Sequence, residues 1–311
     1  MATRAAKGKH VVKASERTFT GLRRFNAVMG ILHLVQGILM IVLSNDTTYP
    51  IYTNFLRFDL DTFSLTPDPK LAYELLFGPA VAAFLLLSAI AHLALSTFGY
   101  RWYVAKLKQG MNPARFYEYA LSSSLMIVLI AMLVGIWDLG TLIALFGINA
   151  TMNLFGIMME LHNQTTAKTD WTSFVFGCVA GVVPWIVIVL YFLGAVGSAG
   201  AEPPGFVYAI IPTIFVFFNI FALNMFLQYK KVGPWKDYLF GERVYICLLY
   251  TSDAADDLLC VDLGGCRIIK KKTHALKPVL SHILDKQYHH QLPNTIKSTI
   301  DTISLSIIKF R

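Results

Sequence analysis

Six apolar runs, each long enough to cross a membrane, dominate this chain. A helix needs about 20 mostly apolar residues to span the hydrocarbon core, and segments 25–43, 71–98, 114–136, 139–161, 171–194 and 206–228 meet that need with few charges. Backbone polar groups inside a bilayer must be satisfied within the segment itself, so these runs predict helices gathered into an all-α membrane bundle. The 311 residues are 55% hydrophobic and only 15% charged, further toward the apolar side than an ordinary soluble domain.

The connections between runs are short except for 44–70, whose alternating YPIYTNFLRFDLDTF predicts a small extracellular hairpin or ordered loop. Basic residues fall in the alternate connections. Arg4, Lys7, Lys9, Lys13, Arg17, Arg23 and Arg24 precede the first run; Arg101, Lys106 and Lys108 follow the second; Lys230, Lys231, Lys236 and Arg243 follow the sixth. With six alternating helices these share one side, which predicts a cytoplasmic N-terminus in a multi-pass protein of the cell membrane. Placed this way, the net charge of +8 reads as a topology signal and membrane lipid as the surroundings, with no nucleic-acid partner. No short apolar core with a small-residue cleavage site precedes the first run, so that run itself is expected to direct insertion.

Ionisable groups inside apolar runs are costly and point to function. Glu118, in ARFYEYALSSSLMIVLIAML, reads either as a solvated helix-start residue or as a buried anion. In the second case Ser122, one turn on, shares its face, and a cation is expected opposite. His33 and His92 each stand alone in apolar surroundings, either as hydrogen-bonded packing elements or as ligands. No HxxxH or ExxH accompanies them, so no metal is expected. Ser122, Ser123, Ser124, Asn149, Asn153 and Asn219 supply interhelical hydrogen bonds, worth about 0.6 kcal/mol each. Pro184 is expected to kink its helix and Trp185 to point inward, while Phe215, Phe217 and Phe218 read as packing or lipid-facing groups. GxSxG, Walker, HExxH, GxGxxG and paired CxxC motifs are absent from the sequence, and no enzyme activity is expected. Four cysteines do not make a disulfide framework.

Taken together, RFNAVMGILHLVQ, RFYEYALSSSLMIVLIA, LFGINATMNLFG, FGCVAGVVPWI, PPGFVYAIIPTIFVFFNIFAL, LQYK and GERVYI resemble the heliorhodopsins over residues 20 to 247. The resemblance implies a rhodopsin-type bundle of seven transmembrane helices that binds retinal and senses light, signalling rather than pumping. A light-driven ion transporter or channel, and a retinal-free structural or regulatory membrane protein, are the alternatives. By the same resemblance Glu118 corresponds to the Schiff-base counterion, Ser88 and Ser123 to its polar neighbours, and His33 and His92 to histidines in a polar cavity. Met126, Asn149, Trp185 and Phe218 correspond to residues near the polyene or its ring. Homodimers in which the long first loop takes part are implied as well, together with a signalling partner of unknown identity.

One departure matters. The family's retinal lysine stands twelve residues after the glycine of GER, and that count from Gly241 reaches Asp253. From Cys247 onward CLLYTSDAADDLLCVDLGGCRIIKKK resembles translated adapter sequence. The expected organisation is therefore a basic segment 1–24, a bundle 25–246 that includes the start of a truncated or replaced seventh helix near Gly241, and a non-native, chimeric tail 247–311. A zinc module built on Cys260, Cys266 and His274 is the weaker reading of that tail, because CxxxxxC lacks short paired ligands.

Overall fold

The computed structural model describes residues 12, 14–197 and 205–248. Asp253 and the zinc-module candidates lie outside them. Helix α1 (Glu16–Leu43) starts where the Ser15 side chain accepts a hydrogen bond from the Thr18 amide at 3.3 Å, with Glu16 in the first turn beside the positive end of the helix dipole. Its cytoplasm-type basic residues Arg17, Arg23 and Arg24 thus belong to the helix itself, which begins well before the apolar run at 25.

Strands β1 (Thr48–Asp59) and β2 (Ser64–Leu76) form the predicted hairpin, antiparallel from Thr48 opposite Leu76 to Asp59 opposite Ser64, with a bulge between Ile51 and Tyr52. The hairpin is longer than expected. The second membrane run was placed from residue 71, but residues 71–76 are strand, and helix α2 covers Phe77–Ser96. LAYELL is apolar enough to extend a hydropathy window, yet its residues pair with β1, and Pro79 is tolerated only because it falls in the first helical turn.

Helix α3 (Tyr100–Lys108) is a short amphipathic segment that buries Tyr103 and Leu107 and exposes Arg101 and Trp102. Helix α4 (Pro113–Leu133) is capped by Asn112 and begins with proline at its first position, where no amide is needed. Helix α5 (Leu139–His162) is capped by Asp138. Helices α6 (Thr172–Gly197) and α7 (Gly205–Lys230) follow, each with an internal proline, Pro184 and Pro212. A 3-10 turn at Gly233–Lys236 leads into α8, residues 238–248. Three residues before Gly241, α8 starts earlier than expected.

Six of these helices are long and apolar enough to cross a membrane. In the contact order, α1 lies along α2, α2 on α4, α4 on α5 and α5 on α6. At Gly37 an added Cβ would stand 2.8 Å from the Leu86 side chain, so glycine lets α1 and α2 close up, as small residues do between membrane helices. Met126, Ile127, Ile130, Trp185, Ile188, Ile214 and Phe218 form the central core. The outer faces remain apolar: Ile31, Val35, Ile38 and Val42 of α1 are exposed, a surface that lipid covers at no cost and water would not.

Candidate functional site

The interior is organised by where each helix ends. Arg115 lies in the first turn of α4, at the positive end of its dipole, and Glu160 lies in the last turn of α5, at the negative end of its own. Each placement is unfavourable alone. The two adjacent ends bring the charges together, and Arg115 Nη2 donates to Glu160 Oε1 at 2.6 Å. Arg115 Nη1 donates to Glu242 Oε2 of α8 at 3.0 Å, and the guanidinium lies over the Tyr245 ring at 3.7 Å from its centroid. All three charged side chains are at most 3% exposed.

Charges removed from water this completely persist only with their remaining bonds satisfied. Glu242 Oε1 accepts from Tyr103 OH at 3.0 Å and from the Asn112 side-chain amide at 2.5 Å. Glu160 Oε1 accepts from Tyr238 OH at 3.3 Å, and Glu160 Oε2 accepts from the Asn112 backbone N–H at 2.7 Å. Burial and the Glu242 carboxylate push the Tyr103 phenol well above its ordinary value, so it stays a donor. Thus α3, α4, α5 and α8 meet at a hydrogen-bonded ionic centre, in which Arg115 Nε lacks a partner among the described residues.

From it a polar chain runs inward. The Asn26 amide reaches Tyr103 OH at 3.5 Å, and Asn26 Oδ1 lies 2.7 Å from His92 Nδ1. The His92 ring stacks on His33, centroids 5.6 Å apart and planes within 3°. His92 Nε2 has no hydrogen-bond partner among the described residues. A cavity of about 30 Å³ touches His92, Glu118, Arg115 and Glu242 together, enough for one water.

Glu118 is placed as a buried anion would be. Ser88 Oγ of α2 donates to Glu118 Oε1 at 2.7 Å, and Ser122, one turn along, is buried. The expected cation is not opposite it among the described residues. The buried cation is Arg115, three residues earlier, and its two nitrogens serve Glu160 and Glu242. Ser123 Oγ donates to the Tyr119 carbonyl at 2.5 Å and receives the Asn149 and Asn153 amides, each at 3.0 Å. Asn149 also donates to Ser124 Oγ at 3.0 Å, and its Oδ1 has no partner.

An apolar cavity of about 140 Å³ lies between α4, α5, α6, α7 and α8. Trp185 is 4% exposed and does point inward, with Phe218 edge-on at 5.5 Å. Both line the cavity, whereas Met126 and Asn149 stand outside that lining, Met126 in the core with Trp185 and Phe218. An added Cβ at Gly181 would come within 2.5 Å of Met152 Sδ, so the wall stays open only with glycine there. The aromatic and glycine lining suits an elongated apolar group such as retinal. No lysine lines it, so the described residues offer no amine for a covalent link. Among the described residues no three His, Cys, Asp or Glu side chains gather as a metal site.

Sequence reading missed Arg115, Glu160, Glu242, Asn26, Asn112 and Tyr103. A signal was present, since a cation in a first turn and an acid in a last turn each require a partner.

Membrane-length helices around an aromatic cavity, with a half-buried carboxylate inside the bundle, define a rhodopsin-type helical membrane bundle. The heliorhodopsin family matches residues 22–256, and the chain belongs to that family. It is an integral membrane protein of a retinal-binding, light-responsive family that is not a classical enzyme family. No curated protein matches the chain.

Proposed function

We propose that this chain is a light-sensing heliorhodopsin, signalling rather than pumping, whose retinal pocket is retained but whose attachment lysine is missing. The observation that carries this reading is Glu118: a carboxylate inside the bundle, held by Ser88 at 2.7 Å, with no Lys or Arg side chain within 4 Å among the described residues. Such an anion calls for a cation supplied from elsewhere in the bundle. In the family that cation comes from the lysine whose position here is Asp253.

Bound retinal supplies light absorption and a change of shape. The chain's residues supply the rest. Trp185 and Phe218 hold an apolar ring, Gly181 leaves it room, and Ser88 orients the carboxylate. The His92 imidazole can take a proton near Glu118, both lining one small cavity, with Asn26 Oδ1 placed 2.7 Å from its Nδ1 to accept a hydrogen bond. The polar chain ends on the Arg115 guanidinium, which does not give up a proton and so cannot pass one on, and this supports retention over transport. The N-terminus is cytoplasmic on this reading, and the hairpin pairs two copies into a homodimer. Phe55, Phe58 and Phe63 of the hairpin are exposed by 63%, 51% and 79%, apolar area that a second copy would cover.

The test is pigment formation. The full chain expressed with all-trans retinal should give no visible pigment that borohydride fixes to the protein. Asp253→Lys, combined with apolar residues across 247–256, should give one. A reduction-stable adduct on the unaltered chain would sink the missing-lysine reading, and light-driven proton or ion movement by the restored pigment in vesicles would favour transport.

A further inference from the structure

A second cavity is wider than the aromatic one. It has about 490 Å³ and opens at the end of the bundle where α1 begins, between the α5–α6 connection and the turn from α7 into α8. That is the size range of small-molecule sites. Three ammonium groups line it: Lys168, Lys231 and Lys236.

Several neutral groups of this wall are already committed. Asn163 Nδ2 donates to the Asp170 carbonyl at 3.0 Å and its Oδ1 accepts from Thr166 and from the Asp170 amide. Trp235 Nε1 donates to Asn224 Oδ1 at 2.6 Å, and Gln228 to the Tyr238 carbonyl at 3.1 Å. Asp237, the acid of the lining, pairs with Arg243 at 3.4 Å. The three lysines, by contrast, have no carboxylate within 4 Å among the described residues. What remains facing the cavity is an excess of positive charge and of hydrogen-bond donors.

The backbone adds an independent observation. Lys231 holds φ 54°, left-handed backbone that ordinarily falls to glycine at the end of a helix. A lysine held where glycine would be easier keeps its ammonium at this wall at some conformational cost. We propose that this basin binds a phosphate-bearing anion, with Lys168, Lys231 and Lys236 as its ligands. Lysine acts here as a point charge for phosphate oxygens, and three lysines together match a group of multiple negative charge. The same chemistry is offered by a soluble organic phosphate and by an anionic lipid headgroup.

The experiment uses the full chain in nanodiscs at low ionic strength, since exposed charges are screened by salt. In one arm, phosphatidylcholine nanodiscs are titrated with pyrophosphate and followed by tryptophan fluorescence, Trp235 being in the lining. In the other, nanodiscs containing phosphatidylglycerol are analysed by native mass spectrometry for retained lipid. Saturable pyrophosphate binding that weakens at least tenfold in K168A/K231A/K236A supports a soluble ligand. Retained phosphatidylglycerol that is lost in the same variant, without pyrophosphate binding, supports a lipid headgroup. Lys231→Gly separates folding from binding, because it relieves the left-handed backbone while removing one ammonium: thermal stability should hold or rise as binding falls severalfold. The proposal is overturned if neither probe binds, if the triple variant binds as the parent does, or if R101A/K106A on α3 weakens binding equally.

Discussion

Replacing Arg115 by Met keeps most of the side chain's length over Tyr245 and removes its charge, leaving Glu160 and Glu242 facing each other inside the bundle. Breaking a buried pair by deleting one partner costs about 3–5 kcal/mol, because the other charge is stranded. Here two carboxylates are stranded, with every group of the cluster at most 3% exposed, so solvent screening gives little relief and the upper half of that range applies. A loss of about 4 kcal/mol lowers the folded-to-unfolded ratio roughly a thousandfold. The assay is equilibrium unfolding of the full chain in mixed micelles titrated with sodium dodecyl sulfate, followed by far-UV circular dichroism. The decisive comparison is R115M/E160Q/E242Q. Removing all three charges also removes their desolvation cost, while Tyr103, Asn112 and Tyr238 keep side-chain amide oxygens to bond, so the triple variant should recover most of the loss. The reasoning is refuted if R115M costs under about 1 kcal/mol, or if the triple variant is no more stable than R115M.

Three further outcomes are expected. Asp138→Ala should cost about 1 kcal/mol by removing the α5 cap, and should speed hydrogen exchange at the Tyr52 amide, since Asn54 donates to Asp138 at 2.8 Å beside the Tyr52-to-Trp137 backbone bond. The Thr141 amide and hydroxyl hold the Asp138 carboxyl below its ordinary 3.8. Its contribution should therefore be complete above about pH 4 and be lost as pH falls through the lower native value, read from the same exchange measurement. Gly156→Ala should destabilise by about 1–3 kcal/mol in the detergent titration, because its Cβ would overlap the Phe116 ring, and Phe116→Leu should restore part of the loss. F55S/F58S/F63S should convert a dimer to a monomer in light scattering while leaving the helical signal unchanged, as expected for exposed hairpin residues.

The helices were legible because membrane length and apolar continuity leave little else for a run such as 171–194 to be, and α6 over Thr172–Gly197 matches it closely. The hairpin was legible from alternation, but its far end was not. Apolar residues such as Leu75 and Leu76 serve a strand and a helix equally well in a hydropathy window, and only pairing with Tyr49 and Thr48 distinguishes them. Ser88 bonds Glu118 and the His33 and His92 rings stack, contacts between separate helices that no single run of sequence displays. The Arg115 centre did not surface because its members are 45 and 127 residues apart, each ordinary in its own segment. A carboxylate at a helix end looks solvated until the neighbouring end is known.

Glu242 gives this last centre a meaning beyond its charge. It sits near the start of α8 and reaches Arg115 and the Asn112 cap of α4 and Tyr103 of α3 at once, so the closing helix is keyed into two others before its own length is spent. A joint fixed at its first turns makes the seating of that helix depend on a few side chains near its start. Mutation at the joint is then read out as a bundle that fails to assemble.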